Sequence, residues 1–298
     1  MVKKAKRKTK QKNKKANNQT KERINKKEKN IFKNYFSIKG LQLTDIQIKI
    51  INQVQKNKSS LNFYYDEEKM IKSNQKIIEK VKGSCLCRIS DEFGTAVCIS
   101  EKGYILTCSH AVSPFEGQKT KECLYIFPNG EIVKTLTLEK DEKLDLALLK
   151  IIEIYENENK NFIKIEKNPE KKFVYAKIKP TIKEENEKIG ENVFCIGNPC
   201  FEMFDDEDEK LRRNNYKPFW ISFGKIKGYM RDKIYGKNDL GPLIHDCWTY
   251  WGHSGAPIFN NNGEVVGMHN SWNEKNANRH GISLLGIINF ISKFPFFK

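Results

Sequence analysis

From about residue 81 the sequence predicts an all-β chain built of antiparallel barrels, and two observations carry this. Short runs rich in Val, Ile, Phe and Tyr recur along the chain, and they are separated by turn signals such as Asp91-Glu92-Phe93-Gly94, Pro128-Asn129-Gly130 and Asn261-Asn262-Gly263. No helical pattern alternates with them, as a parallel sheet would require.

Before the β region the chain differs in character. Residues 1–30 hold 14 Lys and Arg against 2 Glu, a net +12 of the total +17, so only +5 belongs to the other 268 residues. This Lys-, Asn- and Gln-rich tail has too few apolar residues to offset the entropy of ordering, and we read it as disordered. Lys3-Lys4-Ala5-Lys6-Arg7-Lys8 is compatible with a nuclear-import address, a nucleic-acid contact or a solvated tail. No secretory signal and no apolar run near 18 residues is seen, so membrane partners are not expected and an intracellular (nuclear or cytoplasmic) place is.

Residues 31–80 form a predicted helical extension. One helix starts at Thr44, where Gln47 three positions later makes a capping box, and puts Ile46, Ile50 and Val54 on one face. A second, from about Asp66 to Val81, groups Met70, Ile77, Ile78 and Val81. Both are expected to pack on the outside of the β domain.

Three stretches then carry chemistry. In Gly252-His253-Ser254-Gly255-Ala256-Pro257 a serine sits in a glycine-flanked turn, where the N–H groups of Gly252 and Ser254 can converge on a developing oxyanion. A serine hydroxyl needs a base, and the base needs an acid to hold its tautomer. His110 ends the β-rich run Tyr104-Ile105-Leu106-Thr107-Cys108-Ser109, and Asp145 lies in the apolar run Leu144 to Ile151, where an unpaired charge is costly to bury.

In the order His110, Asp145, Ser254, these blocks resemble the trypsin-like serine proteases, especially the non-secreted Deg (HtrA) type. Lys188 to Pro199, Phe223-Gly224-Lys225-Ile226 and His280-Gly281-Ile282-Ser283 continue the resemblance over roughly residues 81–292. It implies a trypsin-like fold of two six-stranded barrels in a protease domain over 81–298, the first at about 81–165 and the second at about 185–298. The cleft between them would hold a serine endopeptidase site acting on protein or peptide substrates with no cofactor. With six residues after position 292, the PDZ module that many Deg proteases carry is not expected.

Relatives have Asp or Asn where His253 stands, so the ion pair that locks the oxyanion loop after zymogen cleavage cannot form. His253 either holds the loop by hydrogen bonds or leaves it malformed. Thr249 and His269 resemble the pair with which glutamyl endopeptidases of the V8 type and picornaviral main proteases bind Glu or Gln, although His269 is also readable as a core histidine. By the same resemblance Asn270, Ser271 and Trp272 form the strand along which substrate lies, with the Trp272 ring narrowing the pocket mouth. The alternatives are an inactive protease-fold scaffold and a nucleic-acid-binding protein acting through residues 1–30.

Eight cysteines at 85, 87, 98, 108, 123, 195, 200 and 247 fall mostly in predicted strands. We read them as reduced, apolar packing residues. Cys85 with Cys87, or His245 with Cys247, offer a zinc alternative, although no paired Cys-x-x-Cys occurs.

Overall fold

A computed structural model of the chain describes residues 41–58, 63, 67–112, 122–180, 189–200, 218–230, 242–272 and 278–297. The basic tail, and the acidic stretch at 205–209, lie outside the described residues.

The Thr44 cap forms as read. Its hydroxyl accepts from the Gln47 N–H and the Gln47 side chain accepts from the Thr44 N–H, opening helix α1 at Asp45–Lys56. Helix α2 covers Glu68–Lys82. Both bury one apolar stripe: Ile50, Ile51 and Val54 from α1 and Ile78 and Val81 from α2 belong to the same core as barrel residues. Met70 is the exception to the expected face, since its side chain is 42% exposed in the first turn of α2.

Strands β1 (Cys85–Arg88), β2 (Thr95–Cys98), β3 (Tyr104–Cys108), β4 (Glu122–Ile126), β5 (Ile132–Asp141) and β6 (Leu146–Glu156) form an antiparallel ring in the order β3-β2-β1-β4-β5-β6. Pairing of β3 with β6 closes it, and β7 (Asn161–Lys164) is added outside β6. A short strand β8 (Lys177–Ile178) then runs parallel to β13 of the second ring. That ring comprises β9 (Asn192–Gly197), β10 (Trp220–Tyr229), β11 (Leu243–His245), β12 (Pro257–Asn260), β13 (Glu264–Trp272) and β14 (Arg279–Ser283). Its order is β12-β9-β10-β11-β14-β13, closed by β12 against β13. The fold is therefore the expected pair of closed six-stranded antiparallel barrels, and closure removes the free edges that an open sheet would leave. Helix α3 (Leu284–Ile291), capped by Ser283, follows the last strand.

Interiors follow from strand composition. Leu86, Ala96, Cys98, Ile105, Tyr125, Val133, Ala147 and Leu149 fill the first barrel, and Val193, Cys195, Ile226, Leu243, Ala256 and Ile258 the second. The cysteines are free thiols, and all are buried except the half-buried Cys123. Burial pushes the Cys98 thiol up to about 12, so it packs as a neutral apolar group.

The two helices clasp both rings. A Cβ built on Gly130, in the first ring, would lie 3.2 Å from the Lys58 stem and 3.5 Å from Gln55, while one on Gly263, in the second, would lie 2.8 Å from Val81. The Glu67 carboxylate accepts from the Phe223 N–H of β10 at 3.0 Å, and the Thr44 hydroxyl bonds Asp91 in the turn after β1.

Candidate active site

His110 follows β3 in a single turn of 3-10 helix, and Asp145 immediately precedes β6, the strand that pairs with β3. Register thus brings the two together although 35 positions separate them. Asp145 holds a left-handed conformation at φ 56°, which short polar side chains tolerate best, and its backbone carbonyl accepts from the Ser109 N–H at 3.0 Å. The carboxylate faces His110 Nδ1 at 2.8 and 2.9 Å. It also accepts from the His110 N–H at 3.1 Å, the Ser109 hydroxyl at 3.0 Å and the Asn270 amide at 3.4 Å. Burial alone would raise the Asp145 carboxyl. The hydrogen bonds and charge of His110, with the Ser109 hydroxyl, outweigh it and hold the group below the ordinary carboxylate value.

With Nδ1 turned to Asp145, Nε2 is the ring nitrogen left for a substrate or nucleophile. His110 and Ser254 line one cavity of about 210 Å³ together with Thr249, Tyr250, Trp251, His269, Asn270, Ser271 and Trp272. Of the residues singled out in the sequence, His110, Ser254, Thr249, His269, Asn270, Ser271 and Trp272 are gathered here, while Asp145, Gly252 and His253 stand behind the lining. Trp272 and Trp251 are half exposed in this lining, 48% and 54%.

The loop carrying Ser254 is held from several sides. Gly252 has φ 91°, a left-handed conformation, and a Cβ there would meet the Asn198 carbonyl at 2.2 Å, so only glycine fits. Carbonyls of Trp251, Gly252 and His253 accept from the Cys200 N–H at 2.6 Å, the Thr95 hydroxyl at 2.8 Å and the Ala256 N–H at 2.8 Å. Because a trans peptide points its C=O and N–H in opposite directions, the Gly252 N–H is turned away from Cys200 and the Ser254 N–H away from Ala256.

His253 makes hydrogen bonds within the loop. It is wholly buried, its N–H donates to the Tyr250 carbonyl at 3.0 Å, and its Nδ1 lies 3.2 Å from the Tyr250 nitrogen and 3.1 Å from the Tyr250 oxygen. Trp248 packs edge-on against the ring at 5.4 Å. The space is made by Gly197, where a Cβ would fall 2.2 Å from the imidazole. Burial lowers the His253 pKa to about 3, so the ring is neutral.

Within this lining the Thr249 hydroxyl is buried with no hydrogen-bond partner among the described residues. His269 is buried in the same lining, and its Nδ1 contacts His245 Nε2 at 3.1 Å. Burial, and then the neighbouring His245, push the His269 pKa well below its usual value, and burial followed by Arg279 lowers His245 to about 3. His245, which the sequence offers as a zinc ligand with Cys247, instead supports the site through His269. Its contact with His269 depends on β11 and β13 lying on opposite sides of β14, which spacing alone does not reveal.

Cys85 with Cys87, and His245 with Cys247, do not assemble into a metal cluster among the described residues. The group close enough to hold an ion is Cys108, His110 and Asp145, whose ligand atoms lie within 4.8 Å of one another. Two of its three members already bond each other, and the Cys108 thiol donates to the His269 carbonyl at 3.4 Å.

Comparison with known proteins agrees with this architecture. No curated protein matches the chain. A serine endoprotease from Yersinia pestis superposes with a TM-score of 0.51 at 19% identity, over 74% of this chain and 65% of that one. At that identity it shows a shared fold, and this chain spans less than two thirds of the Yersinia protein. The model of the trypsin-like peptidase domain matches residues 94–268, more than half of the 298 residues, and the chain belongs to that family.

Proposed function

We propose that the protein is a serine endopeptidase whose triad is His110, Asp145 and Ser254. The observation that carries this is the His110–Asp145 pair, closed at 2.8 Å and opening on the same cavity as Ser254. The Ser254 hydroxyl attacks the scissile carbonyl as His110 Nε2 takes its proton. Asp145 holds the imidazole in its Nδ1–H tautomer and stabilises the imidazolium. The N–H groups of Gly252 and Ser254 hold the oxyanion, His110 returns the proton to the leaving amine, and water then hydrolyses the acyl-enzyme.

Preference for Glu or Gln before the scissile bond follows from the pocket floor. An unpartnered Thr249 hydroxyl and a buried neutral imidazole at His269 give donors to a side-chain carbonyl or carboxylate, and an apolar side chain would leave both unpaired. Arg279 beside these histidines adds positive potential. Substrate lies along Asn270, Ser271 and Trp272, adding its backbone to β13.

The test is cleavage of a peptide library by the wild type beside Ser254→Ala and His269→Leu. Cuts after Glu or Gln that vanish with Ser254→Ala, and lose that preference with His269→Leu, are the expected result. Serine-dependent cuts after unrelated residues would remove the pocket assignment. Absence of serine-dependent cutting and of fluorophosphonate labelling in folded protein would favour an inactive scaffold.

A further inference from the structure

We infer that Thr95 is a positioning residue for the oxyanion loop, an inference resting on the peptidase reading above. Thr95 is wholly buried at the start of β2, in the first barrel, whereas the loop belongs to the second. Each of its hydrogen-bonding groups is used. The hydroxyl donates to the Gly252 carbonyl at 2.8 Å and accepts from the Asn198 N–H at 2.9 Å. Its N–H donates to the Ser254 carbonyl at 2.9 Å, and its carbonyl accepts from the Thr107 hydroxyl at 2.7 Å.

Thr95 therefore grips the carbonyls on both sides of His253, the residue whose family counterpart is anchored by charge. His253 is neutral and, among the described residues, its hydrogen bonds run to Tyr250 and Ala256 of its own loop. The tie across the two barrels must come from elsewhere, and the Thr95 hydroxyl supplies it. Its proton and its lone pair both have fixed partners, so it reads as a rigid strut rather than a free rotor. A strut matters here because Gly252, at φ 91°, has the conformational freedom that would let the following peptide rotate. Removing the hydroxyl leaves the Gly252 carbonyl and the Asn198 N–H without it, and a turn of the Gly252–His253 peptide in relief would shift the two flanking peptides that carry the Gly252 and Ser254 N–H groups.

The decisive comparison is Thr95→Ser against Thr95→Ala, two side chains of similar size that differ in the hydroxyl, with Thr95→Val as the isosteric variant. Each is measured for kcat, KM and the rate of fluorophosphonate labelling at a temperature where thermal unfolding shows it folded. We expect Thr95→Ser to stay within about threefold of wild type. Thr95→Ala and Thr95→Val should lose about tenfold or more in kcat and in labelling at unchanged KM, short of the roughly 10²- to 10³-fold loss on deleting an oxyanion donor itself. A merely structural role would lower the melting temperature and leave kcat intact, and that outcome overturns the inference, as do equal losses in the Ser and Ala variants. If the Val variant does not fold, the Ser and Ala pair decides alone. A reactive wild type with an equally reactive Thr95→Ala retires Thr95 only, whereas an unreactive wild type removes the peptidase reading and the inference together.

Discussion

Neutralising Asp145 tests the triad with the least disturbance. Asp145→Asn keeps the shape that accepts from Ser109 and His110 but favours the wrong tautomer of the imidazole. We expect kcat to fall by about 10⁴-fold with the fold retained, read as a lost turnover at an unchanged circular dichroism spectrum. His253 gives a less intuitive expectation. Replacing it by the residue common in relatives, His253→Asp, would place a carboxylate in a wholly buried site against Trp248 and Tyr250. Burial would oppose its ionisation, and we expect a destabilisation of several kcal/mol, seen as a drop in melting temperature, with His253→Asn milder. A variant with Asp at this position and wild-type stability would refute the view that the loop is held by neutral hydrogen bonds.

At the scale of elements the two N-terminal helices are structural parts of the barrels, not appendages. Ile78 is 2% exposed in the shared core, so Ile78→Ala should cost about 2–5 kcal/mol, measurable as a shifted denaturant midpoint at constant slope. The helices were legible because capping and a 3.6-residue period are local: Thr44 and Gln47 announced α1, and Ile78 and Val81 the buried stripe of α2. Period groups Met70 with that stripe, but period says nothing about where the supporting surface ends, and Met70 stands exposed. The same division runs through the site. His110, Asp145 and Ser254 each sit in a stretch that marks them by residue type. His245 and Asn270 acquire their neighbours from sheet register instead. Between His269 and Ser271 the pairing of β13 with β14 shifts, an irregularity at the residue whose amide reaches Asp145, and no spacing rule foretells it.

For the whole molecule, the buried histidines set the response to acid. His245 and His253 are lowered to about 3, and His269 lies well below its usual value, while in the unfolded chain each titrates near 6.5. Between those limits the unfolded state binds more protons than the native one, so stability rises with pH across the window and is lost as pH falls from about 6.5 toward 3. Asp145, lowered below 3.8, adds a loss of the same sign at the acid end. Calorimetry from pH 7 to 4 should show a falling melting temperature, with a shallower slope in His245→Gln. The clasp of α1 and α2 over both rings has another consequence, one that concerns synthesis. Val81 leaves the ribosome long before Gly263, the surface it must cover, so α2 waits with its apolar stripe unsheltered while the second ring is made. A nascent chain stalled at that stage would be the form of this protein in greatest need of a chaperone.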